Sequence, residues 1–253
     1  MTKVALIGGS GLEDPAILKN PKDIQIETPY GNPSSSFKCG KIGGVEVAIL
    51  SRHGRDHSIP PTQVNNRANI WAIKQLGCTH IIVSTACGSL REEIERGHLV
   101  ILDQFIDFTR HRDGSFHDSF ANGELKHTPM ADPFNAKLRD LLIDKATELN
   151  LPFHKSGTVV TIEGPRFSTR AESKMFRMLG ADVINMSVAP ECILANELGI
   201  PYAAIALSTD YDSWKTDEEP VTWEEVLKVF NQNVERVIQL LVDTISSLVD
   251  IEN

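Results

Sequence analysis

Apolar residues fall along the chain in two patterns: short unbroken runs, and longer stretches in which they recur every three or four positions. The runs at 4–7, 45–50, 80–86, 99–102, 157–162, 181–187 and 202–207 have the length and composition of buried strands. A further strand at 37–42 precedes the one at 45–50 across Gly43-Gly44, a hairpin signal. The helical spacing predicts a helix over 65–76, closed by Gly77, and another over 135–150 with Leu138, Leu141, Leu142, Ala146 and Leu149 on one face. A third starts at Pro190 and runs to Leu198, where Gly199 ends it. A long helix from Thr222 carries Val226, Phe230, Val234, Val237, Leu241, Ile245 and Leu248 as a stripe to lay across the sheet. Thr169-Arg-Ala-Glu172 and Thr222-Trp-Glu-Glu225 each fit a capping box. Residues 90–97 read as a solvated, charged turn, and 103–134, with little periodicity, as a long functional or interfacial loop. No linker, low-complexity tract or internal repeat interrupts the pattern, so residues 1–253 are expected to form one α/β domain.

The strand ends carry the candidate chemistry, as they do in parallel α/β sheets. The first strand opens into Gly8-Gly-Ser-Gly, a turn whose backbone N–H groups and Ser10 hydroxyl suit an anion. It is neither a dinucleotide fingerprint nor a phosphate-binding P-loop, and an unliganded tight turn reads equally well. The strand at 45–50 empties into Ser51-Arg-His-Gly-Arg-Asp-His57, two arginines and two histidines in seven residues, a pattern for oxyanion recognition. The strand at 80–86 is followed by Cys87-Gly88-Ser89, read as a loop of small residues. Ser168 and Thr169 sit at a helix start beside Phe167, which suits either a planar ring or the core. The last strand ends in Asp210-Tyr-Asp212. If still extended, the two carboxylates share one side, where like charges are costly unless a ligand with adjacent donors uses them; a solvated loop is the alternative.

Composition narrows the classes. The 253 residues are 41% hydrophobic and carry a net charge of −9, which argues against nucleic acid as a partner but leaves room for a small anion at a local basic site. The four cysteines are scattered without a C-x-x-C pair, so reduced thiols are expected rather than disulfides or a zinc site. A metal pair at His53 and His57 needs a helix that Gly54, Pro60 and Pro61 oppose, so no metal is expected. With no signal-peptide pattern and no apolar run of membrane-spanning length, a cytoplasmic protein without a membrane partner is expected.

Six motifs in order, Gly8-Gly-Ser-Gly-Leu12, Arg52-His-Gly-Arg-Asp-His57, Thr85-Ala-Cys-Gly-Ser-Leu90, Glu163-Gly-Pro-Arg-Phe-Ser168, Asn185-Met186 and Ser208-Thr-Asp-Tyr-Asp212, closely resemble the methylthioadenosine phosphorylases of the trimeric purine nucleoside phosphorylase group. The resemblance runs from the first strand to the terminal helix. It implies a mixed, partly barrel-like central sheet flanked by helices, a homotrimer, and phosphorolysis of S-methyl-5′-thioadenosine to adenine and methylthioribose 1-phosphate. Phosphate is then a co-substrate and no cofactor is needed. Carried over motif by motif, it implies phosphate contacts from Ser10, Arg52, His53, Thr85, Ala86 and Ser187. Met186 is placed under the ribose, Phe167 against the base, and Asp210 and Asp212 at the adenine edge as the catalytic acids. The apolar surface for the 5′ group falls at Thr222-Trp223 and Val226-Leu227, with His57 at its rim, and His127 matches a residue contributed across the trimer interface. The chain stops at Asn253 where some members continue into a tail, which predicts a more open 5′ pocket.

The residue types support that chemistry. Cleaving the glycosidic bond leaves electron density on the purine, relieved by a proton from Asp210 on N7. Asp212, ionised, accepts from a 6-amino group and repels a 6-oxo group, which favours adenine. Three other readings remain: a purine nucleoside phosphorylase of broader or 6-oxopurine preference, including methylthioinosine; a silent nucleoside-binding protein; and a metal hydrolase built on His53, His57 and a loop histidine.

Overall fold

The computed structural model describes residues 2–8, 17–120, 123–217 and 221–248. Its strands are β1 (Lys3–Gly8), β2 (Lys19–Ile24), β3 (Phe37–Ile42), β4 (Val45–Ser51), β5 (His80–Ser89), β6 (Leu99–Ile101), β7 (Gln104–Phe108), β8 (Phe153–His154), β9 (Thr158–Ile162), β10 (Val183–Asn185) and β11 (Tyr202–Asp210). The helices are α1 (Asn66–Gln75), α2 (Ala136–Glu148), α3 (Arg170–Met178), α4 (Val188–Glu197) and α5 (Trp223–Ser247).

All eleven strands join one mixed sheet, ordered β2-β3-β4-β1-β5-β10-β9-β7, with β11 along the other side of β5 and β6 and β8 beyond it. The hydrogen-bonded order has free ends, so the barrel-like closure expected of the sheet is not reached. Side chains alternate across β1: Ala5 and Ile7 join a core with Ile70 and Ile73 of α1 and Leu194 of α4, whereas Val4 and Leu6 join one with Leu142 of α2 and Leu241 of α5. The central strands are therefore apolar on both faces, which is why they read as unbroken runs.

The sheet splits at β5. Its pairing with β1 ends at Val83, and its pairing with β10 on that side begins at Gly88. Residues 84–87 lie between the two, while β11 follows β5 throughout on its other edge. Divergence of neighbouring strands is where α/β sheets make room for ligands.

Several expectations are corrected here. Cys87-Gly88-Ser89 is strand, not loop, because it pairs with both β10 and β11. The stretch 103–134 begins with β7, which ranges along β9 in parallel. The turn at 90–97 is not wholly solvated, since Leu90 and Ile94 are buried. Helix α4 starts at Val188, placing Pro190 inside its first turn, where a missing N–H costs nothing. Thr169 makes both halves of its capping box with Glu172, but Thr222 makes only its own bond, to the Glu225 N–H. All four cysteines are free thiols.

Candidate active site

A cavity of about 600 Å³ opens at the split in the sheet. It gathers side chains from five separated segments: Arg52, His53 and His57 after β4; Thr85 and Ala86 in β5; Phe167 before α3; Met186 and Ser187 between β10 and α4; and Asp210, Asp212 and Trp223. Of the expected site residues among those described, all line it except Thr222 and Leu227, beside Trp223 and Val226 which do, and His127, which is exposed beside Phe120 with ring centroids 5.7 Å apart. Ser10 lies outside the described residues.

One end of the cavity is built for an anion. Ser187 is the N-cap of α4, yet its hydroxyl makes no capping bond; it lies 3.4 Å from the Thr85 hydroxyl instead. Asn185 Nδ2 donates to Thr85 Oγ1 at 3.3 Å and holds that rotamer. The positive end of the helix dipole thus meets two hydroxyls. Arg52 is anchored by its backbone N–H on the Gly8 carbonyl, and its guanidinium is buried. Nη1 donates to the Ser84 carbonyl at 3.1 Å, inside the gap between β1 and β10. Nε and Nη2 donate to Glu191 Oε1 and Oε2 at 2.5 and 3.1 Å. His53 Nδ1 donates to the Ile59 carbonyl at 2.9 Å, which fixes the orientation of the ring.

The other end holds the acid pair. Strand β11 slips register between Ser208 and Asp210, a bulge at Thr209 that sets Asp210 opposite Gly88. The extended geometry expected through Asp212 does not persist. The strand ends at Asp210, and Asp212 adopts φ 46° at the start of a short 3-10 turn. That turn, rather than strand alternation, brings both carboxyls to the same cavity, and the Asp212 N–H donates to Asp210 Oδ1 at 2.8 Å. Thr209 Oγ1 lies 2.8 Å from Asp210 Oδ2 and 3.1 Å from the Cys87 carbonyl. Burial pushes the Asp210 carboxyl from its ordinary 3.8 up to about 6, against these hydrogen bonds. Asp212 is also raised by burial, while the Ser168 hydroxyl, donating to Oδ2 at 2.5 Å, pulls it back down.

Gly88 is required by close approach. A Cβ there would stand 2.8 Å from Asp210 Oδ1. Gly164, at φ 68° before the cis Gly164–Pro165 bond, lies flush against the Met186 sulfur, so no side chain fits there either.

Near the mouth, His53, His57 and Trp223 form a run of rings, with centroid separations of 4.8 and 5.6 Å. Ile59, Pro60, Pro61 and Val226 complete an apolar wall around them. Among the described residues, no cluster of three or more His, Cys, Asp or Glu side chains is placed to hold a metal ion.

Four residues of this site went unread in the sequence: Glu191, Thr209, Asn185 as a buttress, and Ser168 as the partner of Asp212. Ser168 carried a signal, its place beside a capping box. Glu191 carried none beyond following Pro190 in the first turn of a helix.

This arrangement, an anion-binding end and a buried carboxyl pair across one cavity at a sheet split, is that of a known class. The chain belongs to the phosphorylase superfamily, whose model matches residues 3–246. It is 53% identical over 249 residues to S-methyl-5′-thioadenosine phosphorylase of Xenopus tropicalis, covering 97% of this chain and 89% of the relative. It is 50% identical over 248 residues to the Danio rerio protein of the same name, again with 97% and 89% covered. Among solved structures it is similar to methylthioadenosine phosphorylase from Schistosoma mansoni in complex with adenine, at TM-score 0.94 and 41% identity, covering 100% of this chain and 93% of that one. A mutant adenosine/methylthioadenosine phosphorylase from the same organism, in complex with methylthioadenosine, superimposes at TM-score 0.91 and 40% identity, with 100% and 93% covered.

Proposed function

We propose that this protein is a pentosyltransferase that cleaves S-methyl-5′-thioadenosine with inorganic phosphate, yielding adenine and S-methyl-5-thioribose 1-phosphate for purine and methionine salvage. The observation that carries the reading is Asp210: a buried carboxyl, raised to about 6, fixed by two hydrogen bonds across the cavity from an anion-binding end.

The chemistry follows from that layout. The bond between C1′ and N9 breaks, and its electron pair passes into the purine. Asp210 gives a proton to N7, an effect worth roughly 10²–10⁴-fold. Asp212 accepts from the 6-amino group. A phosphate oxygen, held by Arg52, His53, Thr85, Ala86 and Ser187 (and by Ser10), bonds to C1′ as that carbon becomes cation-like, so the dianion is both nucleophile and electrostatic stabiliser. The proton that HPO₄²⁻ loses on becoming a monoester balances the one adenine gains. Met186 supports the ribose, Phe167 packs on the base, and the wall at Trp223, Val226 and Pro60 receives the methylthio group. No side-chain nucleophile is needed, and Cys87 is unsuited to that role because burial raises its thiol well above the usual range. Phosphate is the only non-nucleoside reactant and no cofactor is used.

The protein acts as a single domain and as a cytoplasmic homotrimer. In support of the trimer stand the resemblance to the trimeric group and the exposed apolar side chains Leu125, Met178 and Leu179. His127, on the surface here, serves a neighbour's cavity in that assembly. For the cytoplasm, the free thiols are the supporting feature. Among the described residues no helix is long and apolar enough to cross a membrane.

Purine release from methylthioadenosine, adenosine and methylthioinosine, each with and without phosphate, tests the reading. Phosphate-dependent release, fastest from methylthioadenosine, is expected. Release without phosphate overturns phosphorolysis, and fastest turnover of methylthioinosine overturns the assignment of the acid pair.

A further inference from the structure

Beneath the anion-binding end of the cavity three buried polar side chains are tied together. Arg52 donates to both oxygens of Glu191, and the Tyr202 hydroxyl donates to Glu191 Oε2 at 3.0 Å. Arg52 is 2% exposed, Glu191 0% and Tyr202 1%. A buried carboxylate beside a phosphate site is costly twice over, through its own desolvation and through repulsion of the dianion. Glu191 also stands in the first turn of α4, where it competes with the anion for the same helix dipole. Simple packing does not call for it, since an apolar side chain fills such a space without either cost. The arrangement is therefore a device acting on Arg52.

We propose that Glu191 and Tyr202 are positioning residues that set the charge with which Arg52 meets phosphate. The proposal rests on the phosphorolytic reading of the cavity. Glu191 fixes the planar guanidinium by a two-point fork and offsets its charge, so the incoming dianion meets oriented donors rather than a full buried cation. An uncompensated cation would grip the anionic product as firmly as the substrate, and turnover needs that product to leave. Tyr202 trims the effect from the other side: its hydroxyl draws on Oε2 and weakens the hold of the carboxylate on Arg52. Burial beside Glu191 raises the Tyr202 phenol well above its ordinary range, so it remains a donor.

The two substitutions then act in opposite directions. Glu191→Gln removes the carboxylate that offsets the Arg52 charge; phosphate binds at least fivefold tighter, the KM for methylthioadenosine stays within twofold, and kcat falls through slow product release. Tyr202→Phe strengthens the hold of Glu191 on Arg52, and phosphate binds two- to fivefold weaker with the nucleoside KM again unchanged. The measurement is titration calorimetry of inorganic phosphate into wild type and both variants without nucleoside, with steady-state kinetics and the phosphate-induced rise in Tm alongside. The rise is larger in Glu191→Gln than in wild type, because phosphate restores the missing negative charge. A residue of merely structural importance gives weaker phosphate binding in both variants, and that result, or unchanged binding in both, overturns the proposal. If Glu191→Gln does not fold, Tyr202→Phe decides alone: weaker phosphate binding with the nucleoside KM constant and kcat unchanged or raised, as easier product release requires, upholds it, whereas weaker binding with a lowered kcat, or unchanged or tighter binding, overturns it. Adenine release by the wild type tests the phosphorolytic reading separately, since phosphate binding is read without nucleoside.

Discussion

The backbone N–H of Asp212 donates to Asp210 Oδ1 at 2.8 Å, so the residue that completes the acid pair also orients its partner. The contact exists because the chain leaves β11 in a turn at φ 46° instead of continuing extended. It fixes the Asp210 carboxyl plane, and Thr209 fixes the second oxygen. What remains to tune is the proton, and burial does that by lifting Asp210 to about 6.

Asp210→Asn is expected to lower turnover of methylthioadenosine by 10² to 10⁴, roughly the worth of a general acid, and yet to stabilise the empty protein at neutral pH. An acid raised from 3.8 to about 6 favours the protonated fold, so ionising it above pH 6 costs the native state about 3 kcal/mol. Asparagine keeps the bond to the Asp212 N–H and carries no charge. The gain should grow from pH 4 to 6, level off above, and vanish below pH 4, where the unfolded carboxyl is protonated too. Chemical denaturation of both proteins at pH 4 and pH 7.5 checks it; equal stability at pH 7.5 removes burial as the cause of the raised acid.

The same carboxyl sets the alkaline side of the rate profile. With phosphate saturating at each pH, kcat/KM for methylthioadenosine should fall about tenfold per pH unit above roughly 6, because the free enzyme loses the proton it must donate. In Asp210→Asn that limb should be absent while the residual rate stays flat. A wild-type profile level from pH 6 to 8.5 would assign the proton on N7 to another donor.

Gly88→Ala tests how tightly the pair is packed. The added Cβ would lie 2.8 Å from Asp210 Oδ1 and 3.0 Å from Ile184, with Asp212 Cβ at 3.2 Å, so the carboxyl must move. A displacement approaching 1 Å at a reacting group costs on the order of 10² in rate. The expected result is a loss of that size in kcat with the KM for phosphate preserved, since Arg52 and Ser187 are untouched. Equal damage to the phosphate KM would mean that β5 itself has shifted.

Much of this was legible in the chain. Strands buried on both faces announce themselves as apolar runs, and α1, α2 and α5 by their spacing and caps. Strand β7 escaped because Gln104-Phe-Ile-Asp-Phe108 is half-buried, short and without flanking glycine or proline. Its partner β9 lies more than fifty residues away. The strand character of Cys87-Gly88-Ser89 escaped for a similar reason: small residues read as loop until two partner strands claim them. The residues expected at the phosphate came from the resemblance, and Arg52, His53, Thr85, Ala86 and Ser187 meet in one cavity because each lies in or just after a strand at or beside the split in the sheet. Glu191 was not expected there, because its partner Arg52 is 139 positions distant and a single glutamate in a first helical turn is ordinary. Long-range pairing leaves no local mark, whereas caps and periodicity do.

Ser168 offers the sharpest test of purine selectivity. Its hydroxyl donates to Asp212 Oδ2 at 2.5 Å and opposes the upward push of burial on that carboxyl. Asp212 so held is an acceptor suited to a 6-amino group and hostile to a 6-oxo group. Ser168→Ala removes the donor, and the Asp212 carboxyl rises further, which favours the neutral form that can donate to a 6-oxo oxygen. A hydrogen bond to a charged group is worth about 1.5 kcal/mol or more. The ratio of methylthioinosine to methylthioadenosine turnover should therefore rise about tenfold or more, mainly through loss on the adenine side. The shift should shrink as pH is raised and Asp212 is ionised again. A ratio unchanged by the substitution, or changed equally at pH 6 and pH 8.5, would separate Ser168 from Asp212 and leave its bond to the carboxylate a matter of packing alone.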